Sequence, residues 1–237
     1  MTEKKFTRTI THVFLSILML GGSSSIFATP SWNGNWQSSY ASLDEPVMDT
    51  VYTSVAALKD DLEASDVESA LKAMLHTDFN TINVENTGNL YSMTIDSVST
   101  NYNYMGEHEV EFAPGTYFSW YKFEKIGGSA DDLYKYIIST AAHQDTPDSM
   151  VHWHMRYGSQ GFDALIGITD FWWPTMVAAD MTAQELADQY TAMAGEFAEM
   201  LSPSQVPVPG SILLLGSGML LLSGYRFRAR LNVASVS

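Results

Sequence analysis

Apolar positions along the chain fall into blocks with two different periods. Between Glu45 and His76, the residues Val47, Val51, Val55, Leu58 and Leu62 recur at intervals of three and four, which places them on one helix face. Ser65-x-x-Glu68 reads as a capping box that starts a second helix through Leu71, Met74 and Leu75. From Thr77 to Lys125 the period drops to two. Tyr91, Met93 and Ile95 alternate with Ser92, Thr94 and Asp96, and Val110 and Phe112 alternate with Glu109 and Glu111. Turn signals stand at Asn86-Thr87-Gly88-Asn89, Gly106 and Pro114-Gly115. This block predicts antiparallel strands with one wetter face.

The second half repeats the alternation of types. Ser129 predicts a helix cap, with Asp131 and Asp132 in the first turn and Leu133, Ile137 and Ala141 as the buried stripe, ending near His143. Met150 to Trp173 predicts a hairpin. In its first arm Val151, Trp153 and Met155 alternate with His152, His154 and Arg156; the turn is Tyr157 to Gly161, and Phe162 to Phe171 returns. Thr182-Ala183-Gln184-Glu185 is another capping box, followed by Leu186, Tyr190, Met193, Phe197 and Met200 at helical spacing. Segregated blocks of helix and strand favour an α+β fold in which amphipathic helices cover an antiparallel sheet.

The two ends read differently from this middle. Lys4, Lys5 and Arg8 precede a short apolar run from Ile10 to Leu20, and Ala28 precedes Thr29-Pro30, so residues 1–28 read as a signal peptide cleaved after Ala28. Residues 29–205 then form one domain, with a polar and aromatic arm at its start and a Pro-containing linker at its end. From Val206 to Gly224 no side chain ionises, and as a helix this run would reach roughly 28 Å, about one hydrocarbon core. Three arginines follow at 226, 228 and 230, and residues 231–237 trail behind.

The order of Val206, Pro207, Val208 and Pro209, the Leu-rich run, and Arg226, Arg228 and Arg230 resembles the PEP-CTERM sorting signals of exosortase-bearing Gram-negative bacteria. The resemblance covers only about the last 30 residues. It implies a C-terminal transmembrane sorting helix in segment 206–230, retention by the arginines, and cutting near the Pro motif by an exosortase-type enzyme. The partners it implies are that enzyme, the inner membrane and exopolysaccharide. The implied location is an anchored precursor, then the cell surface or matrix. The alternative is an uncleaved, inner-membrane-anchored periplasmic protein.

Charge narrows the partners further. Between Thr29 and Gln205 six basic residues (Lys59, Lys72, Lys122, Lys125, Lys135, Arg156) face 26 acidic ones. Such a domain repels nucleic acid. There is no cysteine, hence no disulfide and no thiol nucleophile.

Candidate chemistry is sparse. His152-x-His154 is the strongest pair, because residues two apart on a strand project to one face and both imidazoles could reach one metal. His143, Asp145 and Asp148 lie just upstream and could add ligands, whereas Arg156 on the same face would repel a cation. Trp32, Trp36 and Tyr40, set among Asn and Gln, could stack on sugar rings or lie as an arm on the domain. Glu107-His108-Glu109 reads as a surface histidine among solvated charges, and His76-x-Asp78 falls at a helix end, where a protonated His suits the dipole. No motif calls for a cofactor, and no phosphate loop, G-x-S-x-G elbow or H-E-x-x-H pattern occurs. The main expectation is a non-enzymatic surface or matrix-associated module. The alternative is a metal-dependent enzyme or metal-binding module using His152 and His154.

Overall fold

The structure is a computed structural model in which residues 32–88, 90–113 and 116–201 are described. Eight antiparallel strands close into a barrel in chain order: β1 (Gly34–Ser38), β2 (Thr81–Thr87), β3 (Leu90–Ile95), β4 (Val98–Ala113), β5 (Thr116–Lys125), β6 (Tyr136–Ser139), β7 (His152–Gly158) and β8 (Thr175–Ala178). Closure comes from β1 pairing with β8, Trp36 opposite Ala178 and Ser38 opposite Met176. This corrects the expectation of a sheet covered by helices. A closed sheet has an inside and no free edge, so its core is built by the strands themselves.

One parity of each strand supplies that core. Trp36, Ile82, Val84, Tyr91, Met93, Tyr102, Phe123, Ile137, Trp153, Met155 and Met176 form a single buried cluster drawn from all eight strands. Trp32 joins it from just before β1, packing edge-on to Tyr91 and Phe123 and donating its indole N–H to the Thr140 carbonyl. The alternation read at Tyr91-x-Met93-x-Ile95 and Trp153-x-Met155 is therefore the inward parity.

The outward parity is also partly buried. Helices α1 (Asp49–Ala56) and α2 (Ala64–Leu75) join α4 (Ala183–Ala192) and α5 (Ala194–Met200) in a second cluster that includes Val51, Val55, Leu71, Leu186 and Phe197 and reaches Val177 of β8. The capping box at α4 forms as expected: Glu185 N–H donates to Thr182 Oγ1 at 3.2 Å, and Thr182 N–H donates to Glu185 Oε2 at 2.8 Å. At α2 the cap shifts two residues upstream, with Glu63 N–H donating to Asp66 rather than a Ser65–Glu68 pair. The long predicted C-terminal helix breaks at Met193 into α4 and α5.

A third cluster lies outside β4–β6, where Trp120, Ile138 and Leu165 pack under the short helix α3 (Phe162–Ile166). Gly106, at φ +85°, carries a bulge in β4. Before it the even residues Tyr102 and Tyr104 pack with the interior; after it Val110 packs with the outer cluster. The extra residue has swapped the faces.

Two further segments depart from the sequence pattern. The helix expected from Ser129 to His143 is instead a turn followed by strand β6. The reason is that Ile137 and Ile138 are both buried, one in the barrel and one under α3, which a strand between two apolar layers satisfies. Asp132 organises the turn, taking Lys125 Nζ at 2.7 Å and the Tyr134 N–H at 3.0 Å. The predicted return arm at 162–171 is α3 plus a loop, and the next strand to pair with β7, whose other neighbour is β6, is β8.

Among the described residues no helix is long and apolar enough to cross a membrane. The expected transmembrane sorting helix at 206–230, with Val206, Pro207, Val208, Pro209, Arg226, Arg228 and Arg230, lies outside the described residues, as does Ala28.

Candidate metal centre

His152 and His154 stand on the outward parity of β7, opposite Trp153 and Met155, as the sequence alternation predicts. The residue that completes the site comes from the segment just before β7. His143 forms a two-hydrogen-bond bridge with His152, each N–H donating to the other's carbonyl at 2.9 Å. Residues paired across an antiparallel ladder share a face. The three rings therefore converge, His143–His152 at 4.3 Å, His152–His154 at 5.0 Å and His143–His154 at 5.7 Å between centroids. One ring nitrogen from each lies within 4.8 Å of the others.

Hydrogen bonding decides which nitrogen faces inward. His143 Nδ1 is 2.8 Å from the Ala141 carbonyl and His152 Nδ1 is 3.2 Å from the Met150 carbonyl. A carbonyl can only accept, so both Nδ1 atoms carry the proton and both Nε2 lone pairs are bare. His154 Nδ1 lies 3.0 Å from Thr175 Oγ1, and that hydroxyl already donates its proton to the Trp173 carbonyl at 3.0 Å. Thr175 must then accept from His154, which leaves the third Nε2 bare as well. Such outer partners fix the tautomer and aim of a metal ligand. Thr175→Val, which keeps the shape and removes the acceptor, is expected to weaken metal binding ~10–100-fold. Thr175→Ser is expected to restore it in a competition titration against a chromophoric chelator.

The electrostatics favour the neutral form of His152 and of His154. Burial, then the neighbouring His143, pushes His152 down to about 4, against the smaller opposing pull of the Met150 carbonyl. Burial, then His152 and His143, holds His154 well below its ordinary value. For His152 the folded value lies below the unfolded one, so the unfolded chain takes up more protons between the two. Stability is therefore lost as pH falls from about 6.5 towards 4, by ~3 kcal/mol in the metal-free protein. The urea midpoint of His152→Ala relative to the parent, followed from pH 7 to 4, should rise by the equivalent amount.

Asp145 completes the surroundings. Its two carboxylate oxygens stand 3.7 Å from His143 Nε2 and 3.7 Å from His152 Nε2, and Oδ1 has no hydrogen-bond partner among the described residues. Burial raises its pKa against the opposing effect of His143. Asp148 is exposed. The guanidinium of Arg156, which the sequence set against a cation, is taken up by other groups. Its Nε donates to the Trp172 carbonyl, its Nη1 donates to the Leu165 and Ile168 carbonyls, and the guanidinium packs against the rings of Trp120 and Trp173, which also touch each other.

The other candidates are placed elsewhere. Trp32 and Trp36 are inside the barrel and present no face to a sugar; Trp36 donates its indole N–H to the Trp32 carbonyl. Tyr40 is half-buried, edge-on to His76. His108 is exposed.

Three imidazole donors suit zinc, copper, nickel and iron rather than calcium or magnesium. A tetrahedral zinc ion ~2.1 Å from each nitrogen sets them ~3.4 Å apart, so an inward shift of about 1 Å closes the set. The residues present fit such an ion.

Comparisons with known proteins agree on the fold. The zinc-binding lipoprotein AdcA of Streptococcus pneumoniae serotype 4 is 26% identical over 159 residues, covering 67% of this chain and 31% of AdcA. AdcA of the R6 strain is 24% identical over the same length. The chain thus spans about a third of these relatives. The crystal structure of the Zn(II)-bound ZinT-like domain of S. pneumoniae AdcA superposes with a TM-score of 0.55 at 23% identity, covering 75% of this chain and 97% of that domain. Zn(II)-bound full-length AdcA gives 0.57 at 23% identity, over 80% of this chain and 40% of the other.

These findings overturn the reading taken from the tail. The match is not to a PEP-CTERM protein, and nothing supports an exosortase partner or an exopolysaccharide-matrix role; a metal-binding module, the alternative carried by His152 and His154, is the better account. Export is consistent with the relatives, whose descriptions are periplasmic or lipoprotein, and inner-membrane anchoring has no support in them. Residues 28–193 match the family described as ZinT (YodA) periplasmic lipocalin-like zinc-recruitment, and this chain belongs to that family.

Proposed function

We propose that this protein takes up zinc outside the cytoplasm and holds it as cargo on His143, His152 and His154, with Asp145 supplying negative charge beside the ion. One observation carries the reading: three imidazoles converge with every Nδ1 tied to an acceptor, so three Nε2 lone pairs point into one space. Burial that suppresses protonation serves the same end, because a proton and a metal compete for the same lone pair. The family description and the Zn(II)-bound relatives support it. The site residues of this chain, and the division into a leader 1–28, a single domain 29–205, a C-terminal segment 206–230 and a tail 231–237, are part of the proposal.

The test is a Zn²⁺ titration of the metal-free protein in excess Ca²⁺ and Mg²⁺. Those ions occupy the exposed carboxylates and leave imidazoles free. One saturable site per chain is expected. Uptake that never saturates, or that Ca²⁺ suppresses completely, would show that only the acidic surface binds.

A further inference from the structure

The histidine cluster does not sit in a slot sized for an ion. It forms one part of the wall of a cavity of about 760 Å³. That volume is in the range of sites for small organic molecules, and a four-coordinate zinc held by three ring nitrogens keeps one position open. We propose, resting on the zinc reading above, that the cargo enters as zinc bound to a small neutral ligand with an aromatic nitrogen donor, of the imidazole class, and that the cavity holds the ligand's body.

The lining chooses this class. Phe118, Phe171, Trp173, Met193 and Phe197 give the cavity an apolar and aromatic surface. Trp173 lies 5.1 Å from His154, centroid to centroid, so a flat ring bound next to the histidines meets an aromatic wall. Chelators that are anions meet the opposite. Glu109, Glu111, Asp145 and Asp170 line the same space, and among the described lining residues the one guanidinium, Arg156, is held by backbone carbonyls and packed against two indoles. A citrate-like or phosphate-like ligand would bring negative charge to four carboxylates. A neutral nitrogen heterocycle brings none, and its ring buries apolar area.

The experiment uses the full chain loaded with Co²⁺, whose visible absorption reports its coordination sphere. The probes are imidazole, 4-phenylimidazole, L-histidine and citrate. Imidazole and L-histidine are expected to change the bound-Co²⁺ spectrum saturably. The added phenyl ring should tighten binding at least ~10-fold, because it is buried against the wall. Citrate is expected only to strip the metal. Phe171→Ala changes an exposed side chain at the cavity and should reduce the phenyl preference at least threefold while Co²⁺ still binds one to one. If Co²⁺ fails to load at one site, the zinc reading itself falls. If it loads but the heterocycles leave the spectrum unchanged, or 4-phenylimidazole binds no tighter than imidazole, or the preference survives Phe171→Ala intact, the ligand proposal is overturned.

Discussion

Replacing His152 and His154 together by alanine should lower zinc affinity by at least ~10³-fold. A full set of zinc ligands contributes on the order of 10 kcal/mol in a structural site, so each imidazole accounts for several kcal/mol and two of them for more than three decades. The double variant leaves only His143 and Asp145 near the ion, which is a poor match for zinc in competition with water. His143→Ala alone should already cost more than tenfold, although the sequence pattern did not single it out as strongly as the pair. The barrel should survive these changes, since all three side chains lie on the outward parity and the interior cluster does not include them. Equal zinc affinity in the parent and the double variant, measured by chelator competition with circular dichroism unchanged, would remove the site from this face.

The second large effect concerns the wall that carries the site. Trp153 is 2% exposed, lies between the two histidines in sequence, and points into the barrel, where it meets Trp36 edge-on at 5.9 Å. Trp153→Ala should cost ~3–5 kcal/mol, from lost transfer energy and the cavity left behind. Its indole N–H has no partner among the described residues. Trp153→Phe therefore deletes an unsatisfied donor along with some volume and should cost clearly less than the alanine variant. Denaturant midpoints order the three proteins; an alanine variant as stable as the parent would mean that this residue is not in the core.

Both predictions were partly legible before the structure. The alternation His152-Trp153-His154-Met155 already put the imidazoles on one face and the apolar side chains on the other, because strand side chains alternate whatever the sheet does beyond them. The same local rule located β3 from Tyr91, Met93 and Ile95, and helical spacing located the stretch that became α4 and α5. Local rules failed where two layers competed for adjacent residues. Ile137 and Ile138 are both buried, on opposite sides, so the chain around them has no single polar face and its helical spacing was fortuitous. The tail misled for a different reason: a terminal pattern says nothing about the domain in front of it, and the match over residues 28–193 lies in that domain.

By itself, the sequence determined the parities of β3 and β7, the α4 cap at Thr182 and Glu185, the absence of thiol chemistry, and the His152/His154 pair. Those depend on neighbours within a few residues, where backbone geometry leaves little choice. Tertiary structure alone decided the closure of β1 onto β8, the burial of Trp32 and Trp36, the clamping of Arg156 by three carbonyls, and the placement of His143 across from His152. Each of these joins segments whose separation along the chain carries no periodic signal. They form because a closed barrel must pair its last strand with its first, and because polar groups taken out of water must find partners wherever the fold brings them.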